Sequence, residues 1–189
     1  PAGVTVVAKT TDDYIVVQRG SRMEALGTAS KPIVFTHSSV LDGSISNAAT
    51  ARGLWGGVVI LGRAPINRCS NALRGTAGCE QPVEGSTDAI MGGALPEDNS
   101  GTLRFLRVEH AGYEIFPGNE LNGITFGAVG SGTTVDYVQV HNNEDDCVEF
   151  FGGTVNVKHL VCTNAGDDNL DIDWGYTGKM QYVLVAQST

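Results

Sequence analysis

Four stretches in the second half of the chain repeat one order of apolar and polar positions. Each is apolar at its first, fourth and sixth positions, and they begin at Leu103, Val135, Val157 and Met180. The second position is polar with alternating charge, and it holds Arg104, Asp136, Lys158 and Gln181. An inward apolar set beside an outward polar ladder is typical of stacked strands about 4.8 Å apart. The pattern predicts four copies of one strand.

A shorter strand precedes each of the last three copies. Its apolar residues are predicted to point inward, and they are Ile124, Phe126, Val148, Phe150, Leu170 and Ile172. Its polar residues are predicted to point outward, and they are Thr125, Glu149 and Asp171. Successive copies begin 22 to 32 residues apart. Units of this length without helices bury their inner faces only by stacking, as the coils of a solenoid do.

The first half of the chain continues the β pattern less regularly. Short strands are predicted at 4–8, 14–18, 22–26 and 32–36, and the apolar run at 54–62 is predicted to be a strand buried on one side. Residues 64–100 are rich in Gly, Asn, Pro, Ser and Asp, which is typical of an elaborate loop. The sequence thus predicts one all-β domain over 1–189, a parallel β-helix solenoid with a long loop insertion at 64–100.

Composition and charge narrow the classes of partner. A chain of 189 residues with 41% hydrophobic content suits one globular domain, and 25 glycines suit short strands joined by tight turns. The net charge of -9 and the pI near 4.7 disfavour nucleic acid and anionic lipid surfaces as partners. No run of 18 apolar residues occurs, so membrane insertion is not expected. Cations and neutral ligands are favoured.

The four cysteines predict an oxidising compartment. Cys69 and Cys79 bracket a loop of small residues that a disulfide would close, and Cys147 and Cys162 can pair within one coil. None of them forms the CxxC spacing of a zinc site. Free buried thiols are the alternative for each. We expect a secreted or cell-surface protein.

An acidic motif is repeated in two successive units. Glu-Asp-Asp-Cys-Val-Glu-Phe at 144–150 returns as Gly-Asp-Asp-Asn-Leu-Asp-Ile at 166–172. Stacking of the two units would place like charges about 5 Å apart, which is unfavourable without a counter-charge. Ca²⁺ takes six to eight oxygen ligands in flexible geometry and would relieve the repulsion. The candidate Ca²⁺ ligands are Glu144, Asp145, Asp146, Glu149, Asp167, Asp168, Asp171 and Asp173.

Two other interpretations of these acids stay open. Raised carboxyl pKa values would supply a general acid beside a general base, with Asp145, Asp146, Asp168 and Asp171 as the catalytic candidates. In that case a carboxyl separation near 5 Å would indicate retention, and about 6.5 to 9.5 Å would indicate inversion. Alternatively, the acids only cap turns and keep the stacked units soluble.

A column of rings is a candidate ligand surface. The third position of the repeated strand holds Phe105, Tyr137, His159 and Tyr182. If the column faces outward, these rings form an aromatic platform for sugars; aromatic residues stacked inside the coil are the alternative.

Several longer stretches resemble a known family. LWGGVVILGRAPIN at 54–67, NELNGITFGAVGSGTTVDYVQV at 119–140 and DDCVEFFGGTVNVKHLV at 145–161 are similar to stretches of largely uncharacterised bacterial secreted or surface β-helix proteins. The chain resembles the right-handed parallel β-helix proteins of the pectate-lyase-like superfamily from about Tyr14 onward. The resemblance implies the fold, whereas β-helices serve as lyases, hydrolases, adhesins and fibres alike.

A shorter resemblance concerns activity. Asp145-Asp146-Cys147-Val148 is similar to the Asp-Asp-Cys-Val element of polygalacturonase-type glycoside hydrolases, which implies acidic catalysis on one face of the coil. The Gly-His-Gly and Arg-Ile-Lys elements of those enzymes are absent from the sequence. The equivalent position of the next coil has Asp167-Asp168-Asn169-Leu170.

Three functions follow as hypotheses. The first is an extracellular β-helix domain with a Ca²⁺-binding acidic face and a carbohydrate-binding surface. The second is a glycoside hydrolase or lyase that acts on a polysaccharide, and the third is a structural segment of a fibre or adhesin. Because Thr189 closely follows the strand-like residues 180–185 without a polar cap, we also expect a fragment of a longer chain or end-to-end self-association.

Overall fold

The computed structural model describes residues 1–84, 86, 88–116 and 119–187. The described chain is almost entirely β, with one helical turn, α1 (Ser38–Leu41). The strands are β1 (Thr5–Ala8), β2 (Tyr14–Val17), β3 (Met23–Leu26), β4 (Ile33–His37), β5 (Gly57–Leu61), β6 (Glu80–Pro82), β7 (Ile90–Gly92), β8 (Gly101–Glu109), β9 (Glu114–Phe116), β10 (Asn119–Glu120), β11 (Ile124–Gly127), β12 (Thr134–His141), β13 (Val148–Phe151), β14 (Asn156–Thr163), β15 (Leu170–Asp173) and β16 (Met180–Ala186).

Two parallel sheets form the stack. The first sheet has the order β1, β4, β8, β12, β14, β16, with β3 also paired to β8. The second sheet has the order β15, β13, β11, β5, β2. Val135 pairs with Leu103 and with Val157, and Val157 pairs with Met180, so the register deduced from the repeat is confirmed. The predicted parallel β-helix is therefore the fold of the chain.

Left-handed residues bend each long strand of the first sheet. Phe105, Tyr137, His159 and Tyr182 have φ values of 51, 55, 49 and 62°. The bend divides β8 into two halves, because β3 pairs with Gly101 to Arg104 and β4 pairs with Leu106 to Val108. Such a backbone costs on the order of 1 kcal/mol or more for a residue with a bulky side chain. At these four positions Gly or Asn would adopt the left-handed backbone at a lower conformational free energy.

The inner core lies between the two sheets. Leu103, Val135 and Val157 of the first sheet face Ile124, Phe126, Val148 and Phe150 of the second, and all are buried. The rings of Phe126 and Phe150 stack with centroids 5.2 Å apart. This side-chain set is the inward set predicted from the repeat.

A hairpin inside the predicted loop insertion covers the outer face of the second sheet. β6 and β7 pair antiparallel, and the disulfide between Cys69 and Cys79 closes the segment before them. A second apolar cluster joins the sheet to the insertion, with Val59, Leu61 and Phe151 on one side and Ile66, Cys79, Val83, Ala89 and Met91 on the other. Residues 85 and 87 of the insertion lie outside the described residues.

This cover corrects one prediction. The strand at 54–62 was expected to be buried on one side, but every residue of β5 is buried. Val58 and Ile60 pack in the inner core, while Val59 and Leu61 pack under the insertion. Alternate residues of a strand point to opposite faces, so a strand with both faces covered is apolar throughout.

The last strand of each sheet has an open edge. β15 and β16 lie at the ends of the sheet orders, and no described strand stacks beyond them. Ile172, predicted to be an inward core residue, is instead 53% exposed, because it lies on this edge strand. Thr189, on which the prediction of a fragment or of end-to-end stacking rested, lies outside the described residues.

Both predicted disulfides are present. Cys69 is bonded to Cys79 and Cys147 to Cys162, with Cα atoms 5.6 and 5.9 Å apart. The second bond links the start of β13 to β14 across a corner of one coil. In the described part of the chain, no helix has the length and apolar character needed to span a membrane.

Candidate functional site

The repeated acids converge because they occupy equivalent places in two stacked coils. Parallel pairing places Glu149 of β13 beside Asp171 of β15, as the sequence predicted. Two groups of carboxylates result, each with its oxygen atoms within 4.8 Å of one another. We name Asp145, Asp146 and Asp167 the turn cluster, and Asp146, Glu149 and Asp171 the strand cluster. Asp146 belongs to both.

Asp146 is a buried carboxyl group with few compensating partners. The residue is only 8% exposed, and its Oδ1 accepts a hydrogen bond of 2.8 Å from the backbone N-H of Asp168. Burial, together with the neighbouring Asp145, Asp171 and Asp168, raises the pKa of Asp146 to about 7. At neutral pH a proton or a bound cation is therefore needed to offset the cost of burying this carboxylate.

The pKa of Glu149 is raised more than that of Asp146. Burial raises its pKa to about 9, with added repulsion from Asp171, Asp146 and Glu84. The side chain was predicted to point outward, and its alternation with inward Val148 and Phe150 agrees with that. Although it points outward as predicted, Glu149 is only 6% exposed. The hairpin insertion covers this part of the sheet.

The sequence analysis missed Asn122, which supports Glu149. Asn122 Nδ2 donates a hydrogen bond of 2.6 Å to Glu149 Oε2 and one of 3.1 Å to Thr125 Oγ1. Ile124 pairs with Val148 on the neighbouring strand. Asn122 lies two residues before Ile124, and Asp146 lies two residues before Val148. The three residues Asn122, Asp146 and Asp168 thus form one column. Extending the acidic alignment back by one coil would have found it.

A groove of 790 Å³ lies between the second sheet and the hairpin insertion. We name it the hairpin groove. Three aromatic residues, four acids and one basic residue are among those that line it, namely Tyr14, Phe151, Trp174, Glu84, Asp88, Glu149, Asp173 and Arg68. None of the aromatic residues was predicted as a site residue, because Tyr14 and Trp174 are far apart in sequence and outside the repeated strand positions.

Trp174 forms the aromatic wall of the hairpin groove at the end of β15. Its ring packs 4.7 Å from the ring of Phe151, and the guanidinium group of Arg68 lies 4.7 Å from its centroid. The backbone of Trp174 is left-handed, with φ of 48°, and its carbonyl group accepts a hydrogen bond from the N-H of Asn67. The insertion therefore holds the ring in place through residues 67 and 68.

The structure brings together only part of the predicted ligand set. Asp145, Asp146, Glu149, Asp167 and Asp171 fall into the two clusters, whereas Glu144, Asp168 and Asp173 lie outside both. Among the catalytic candidates, Asp146 and Asp171 are neighbours, and Asp168 contacts Asp146 through its backbone. The sequence placed Glu149 only among the metal ligands.

The predicted aromatic column is a continuous stack on the outside of the first sheet. Ring centroids are 4.6 Å apart from Phe105 to Tyr137, 4.2 Å from Tyr137 to His159 and 4.8 Å from His159 to Tyr182, with interplanar angles of 3 to 16°. We name these four rings the aromatic ladder. Exposure rises to 62% at Tyr182, so the ladder faces outward as the first alternative required.

The ladder presents ring edges more than ring faces. Each inner ring is covered on both faces by its neighbours in the stack, and Arg104 flanks Phe105 and Tyr137 at 5.3 and 5.9 Å from their centroids. Nδ1 of His159 also lies 2.8 Å from Oδ1 of Asp136, and the carboxylate oxygen accepts the hydrogen bond. A groove of 500 Å³ runs beside the ladder. Sugar binding by these residues stays a prediction.

Comparison with known proteins agrees with the geometry. A family model described as a pectate-lyase like beta helix domain matches residues 1–189. Searches of curated proteins and of solved structures gave no match. The family match fits a carbohydrate-related or a structural role. Because the match covers every residue and the parallel sheets stack as coils, the chain belongs to the pectate-lyase-like β-helix domain family.

Proposed function

We propose that the chain is an extracellular carbohydrate-binding domain that takes up Ca²⁺ at its acidic turns. The observation that carries the proposal is the strand cluster at an aromatic-lined groove of 790 Å³: Glu149 of the cluster lines the groove, and Asp146 joins this cluster to the turn cluster. Carbohydrate sites combine flat apolar side chains with a few fixed polar groups in a concave surface. The two disulfides support an extracellular location, because such bonds persist in oxidising compartments.

Ca²⁺ suits the turn cluster for chemical reasons. Three carboxylates from two coils approach within 4.8 Å, and two of them, Asp145 and Asp167, are accessible enough to complete a shell with water. Ca²⁺ accepts such mixed oxygen ligands, whereas Mg²⁺ requires stricter octahedral geometry. The cation would offset the repulsion that raises the pKa of Asp146.

The hairpin groove is a better glycan site than the aromatic ladder. A sugar stacks on the face of an aromatic ring, and the ladder uses most of its faces for stacking within itself. Trp174, Tyr14 and Phe151 line a concavity with carboxyl groups around it. The ladder remains the alternative surface, with the exposed ring of Tyr182 as its most accessible part.

Replacing Trp174 tests the choice between these surfaces. We expect Trp174→Leu to weaken glycan binding at least about tenfold, because a buried aromatic anchor contributes on the order of 1.4 kcal/mol or more. Tyr182→Leu, a matched loss of an aromatic ring from the ladder, should leave affinity unchanged. Binding is measured on immobilised neutral, uronate and amino-sugar oligosaccharides, with circular dichroism as the folding check. The reverse pattern would move the site to the ladder, and wild-type protein that binds no glycan would contradict the proposal.

Glycoside hydrolysis is a second candidate, favoured by the contact between Glu149 and Asp171. One oxygen atom of each side chain lies within 4.8 Å of the other, which is below the roughly 6.5 to 9.5 Å that inverting glycosidases need and leaves the retaining arrangement as the candidate. Glu149 would protonate the glycosidic oxygen as the C1-O bond breaks, and the carboxylate of Asp171 would bond to C1. Water, losing its proton to Glu149, would then release the sugar from Asp171. In this mechanism Asp145, Asp146 and Asp168, which were predicted to be catalytic, would only position the two reacting carboxyl groups.

Release of reducing ends from a polysaccharide panel tests this candidate. We expect Glu149→Gln to lower any such activity at least about a hundredfold, because general acid catalysis contributes roughly 10² to 10⁴ in rate. Glu97→Gln, an exposed carboxyl group far from both clusters in sequence, serves as the control. Activity that survives Glu149→Gln would exclude this mechanism.

A further inference from the structure

We propose that the hairpin groove selects glycans that carry protonated amines, such as oligomers of an amino sugar with free amino groups. The inference rests on the proposed carbohydrate binding and adds the class of sugar. It follows from the distribution of charge, from the cation that the groove wall already holds, and from two polar atoms that lack partners.

The charge of the groove favours a cationic ligand. Glu84, Asp88 and Asp173 line it, and Asp171 lies directly beside Glu149, which is protonated near neutral pH because burial raises its pKa to about 9. Arg68 is the one basic residue in the described lining. Carboxylates attract a protonated amine and repel the carboxylate of a uronic acid, and the effect strengthens inside a low-dielectric cleft. The groove should therefore bind an amino sugar more tightly than an acidic sugar.

The aromatic wall already holds a cation. The guanidinium group of Arg68 lies 4.7 Å above the ring of Trp174, in the position of a cation attracted by the negative face of the ring. The same ring face is the surface that a bound sugar would use. Arg68 thus acts as an internal stand-in for the amine of the ligand, and the two must compete for Trp174.

Two buried polar atoms near the groove have no partner in the described structure. Nε1 of Trp174 is a donor, and Oδ1 of Asn122 is an acceptor. Asn122 is 2% exposed, and its amide group contacts Glu149. Leaving buried polar groups unpaired costs roughly 1 to 3 kcal/mol each, so such atoms are commonly paired when a site is filled. Of the two residues, Trp174 lines the groove, and the hydroxyl groups of an amino sugar are acceptors for its Nε1.

Three basic residues of the coil lie on the first sheet, away from the hairpin groove. Arg104, Arg107 and Lys158 belong to strands of the first sheet, where Arg104 and Arg107 form ion pairs with Asp136 and Glu109. The second sheet and its insertion carry the acidic surplus instead. The described lining of the hairpin groove therefore carries more acidic than basic side chains, an arrangement that discriminates between ligands by charge.

The test compares three oligosaccharides of equal length: glucosamine with free amines, its N-acetylated form and galacturonate. We expect wild-type protein to bind the free amine at least tenfold more tightly than either of the others. Arg68→Ala should strengthen binding of the free amine severalfold, because the competing guanidinium group is removed. Asp173→Asn should weaken it, and Arg104→Ala should have no effect.

Other results would overturn the inference in distinguishable ways. Equal binding of the amine and the N-acetylated oligomer would show that charge does not select, while carbohydrate binding itself would stand. Preferred binding of galacturonate that falls in Arg68→Ala would assign Arg68 to a carboxylate and reverse the inference. Absence of binding to all three, with the fold intact, would defeat both this inference and the proposed function for these sugars.

Discussion

Saturating Ca²⁺ is expected to raise the melting temperature of the protein by roughly 5 to 10 °C near pH 8 and by only about 1 °C near pH 5. A ligand present at a hundred times its dissociation constant stabilises the folded state by about 2.7 kcal/mol, and a domain of this size gains about 2 to 4 °C per kcal/mol. The turn cluster of Asp145, Asp146 and Asp167 supplies the ligands.

The pH dependence comes from competition between Ca²⁺ and a proton. Burial and the neighbouring acids raise the pKa of Asp146 to about 7, so below that pH a cation must displace the proton. Affinity then falls about tenfold per pH unit, and two units below the pKa the same Ca²⁺ concentration approaches its dissociation constant. Stabilisation by the cation is therefore present above about pH 7 and is lost as the pH falls through it.

Variants and a chelator make this expectation specific. Asp146→Asn should abolish the shift while keeping the hydrogen bond to the backbone of Asp168. Asp42→Asn removes an acid of the exposed segment after α1 and should leave the shift intact. Differential scanning calorimetry with Ca²⁺ and with EDTA gives the measurement. An equal shift at the two pH values, or a shift that persists in Asp146→Asn, would place the cation elsewhere or show that none binds.

The coil architecture was predictable because inward packing repeats in the sequence. The columns that begin with Leu103 and Ile124 alternate with a period of two, and a slip of one residue would expose the whole apolar set. The register follows from that constraint. The same constraint predicts the contact between Glu149 and Asp171 from the sequence, and the structure confirms it.

Burial of the site was not predictable in the same way. Glu149 is outward in the coil, and only the hairpin insertion makes it a buried acid. Residues 64–100 show no hydrophobic period of their own. No local sequence pattern therefore predicts their packing on Val59, Leu61 and Phe151. The uninterrupted apolar sequence of β5 is the one indication of a cover, because a strand with one exposed face would alternate apolar and polar residues.

The aromatic members of the groove were hidden for a related reason. Tyr14 belongs to the first strand of the second sheet and Trp174 follows its last, so the insertion and the sheet bring them to one concavity across the whole stack. Their spacing in sequence carries no motif. The ladder, by contrast, was found because its members share one column of the repeat, although the stacking of its faces could not be read from the column alone.

Replacing Glu149 by Gln is expected to stabilise the Ca²⁺-free protein near pH 8 by on the order of 3 kcal/mol and to have little effect near pH 4. The folded-state pKa of Glu149 is raised from 4.5 to about 9. A carboxyl group with a raised folded-state pKa stabilises the fold fully below its unfolded value, and that stability is lost as the pH rises towards the folded value. Gln keeps the shape and accepts the hydrogen bond from Asn122 without a charge.

The measurement is urea unfolding in EDTA at both pH values, with Glu97→Gln as an exposed control that should change stability by less than about 0.5 kcal/mol. If Glu149→Gln were equally stable or less stable than wild type near pH 8, Glu149 would be an ionised, well-solvated group, and the strand cluster would have no repulsion for a cation to relieve. If the stabilisation appears, the native acid is retained at a cost to the fold. A residue kept at that cost beside an aromatic-lined groove is then explained by what it binds or protonates, because packing alone would favour the amide.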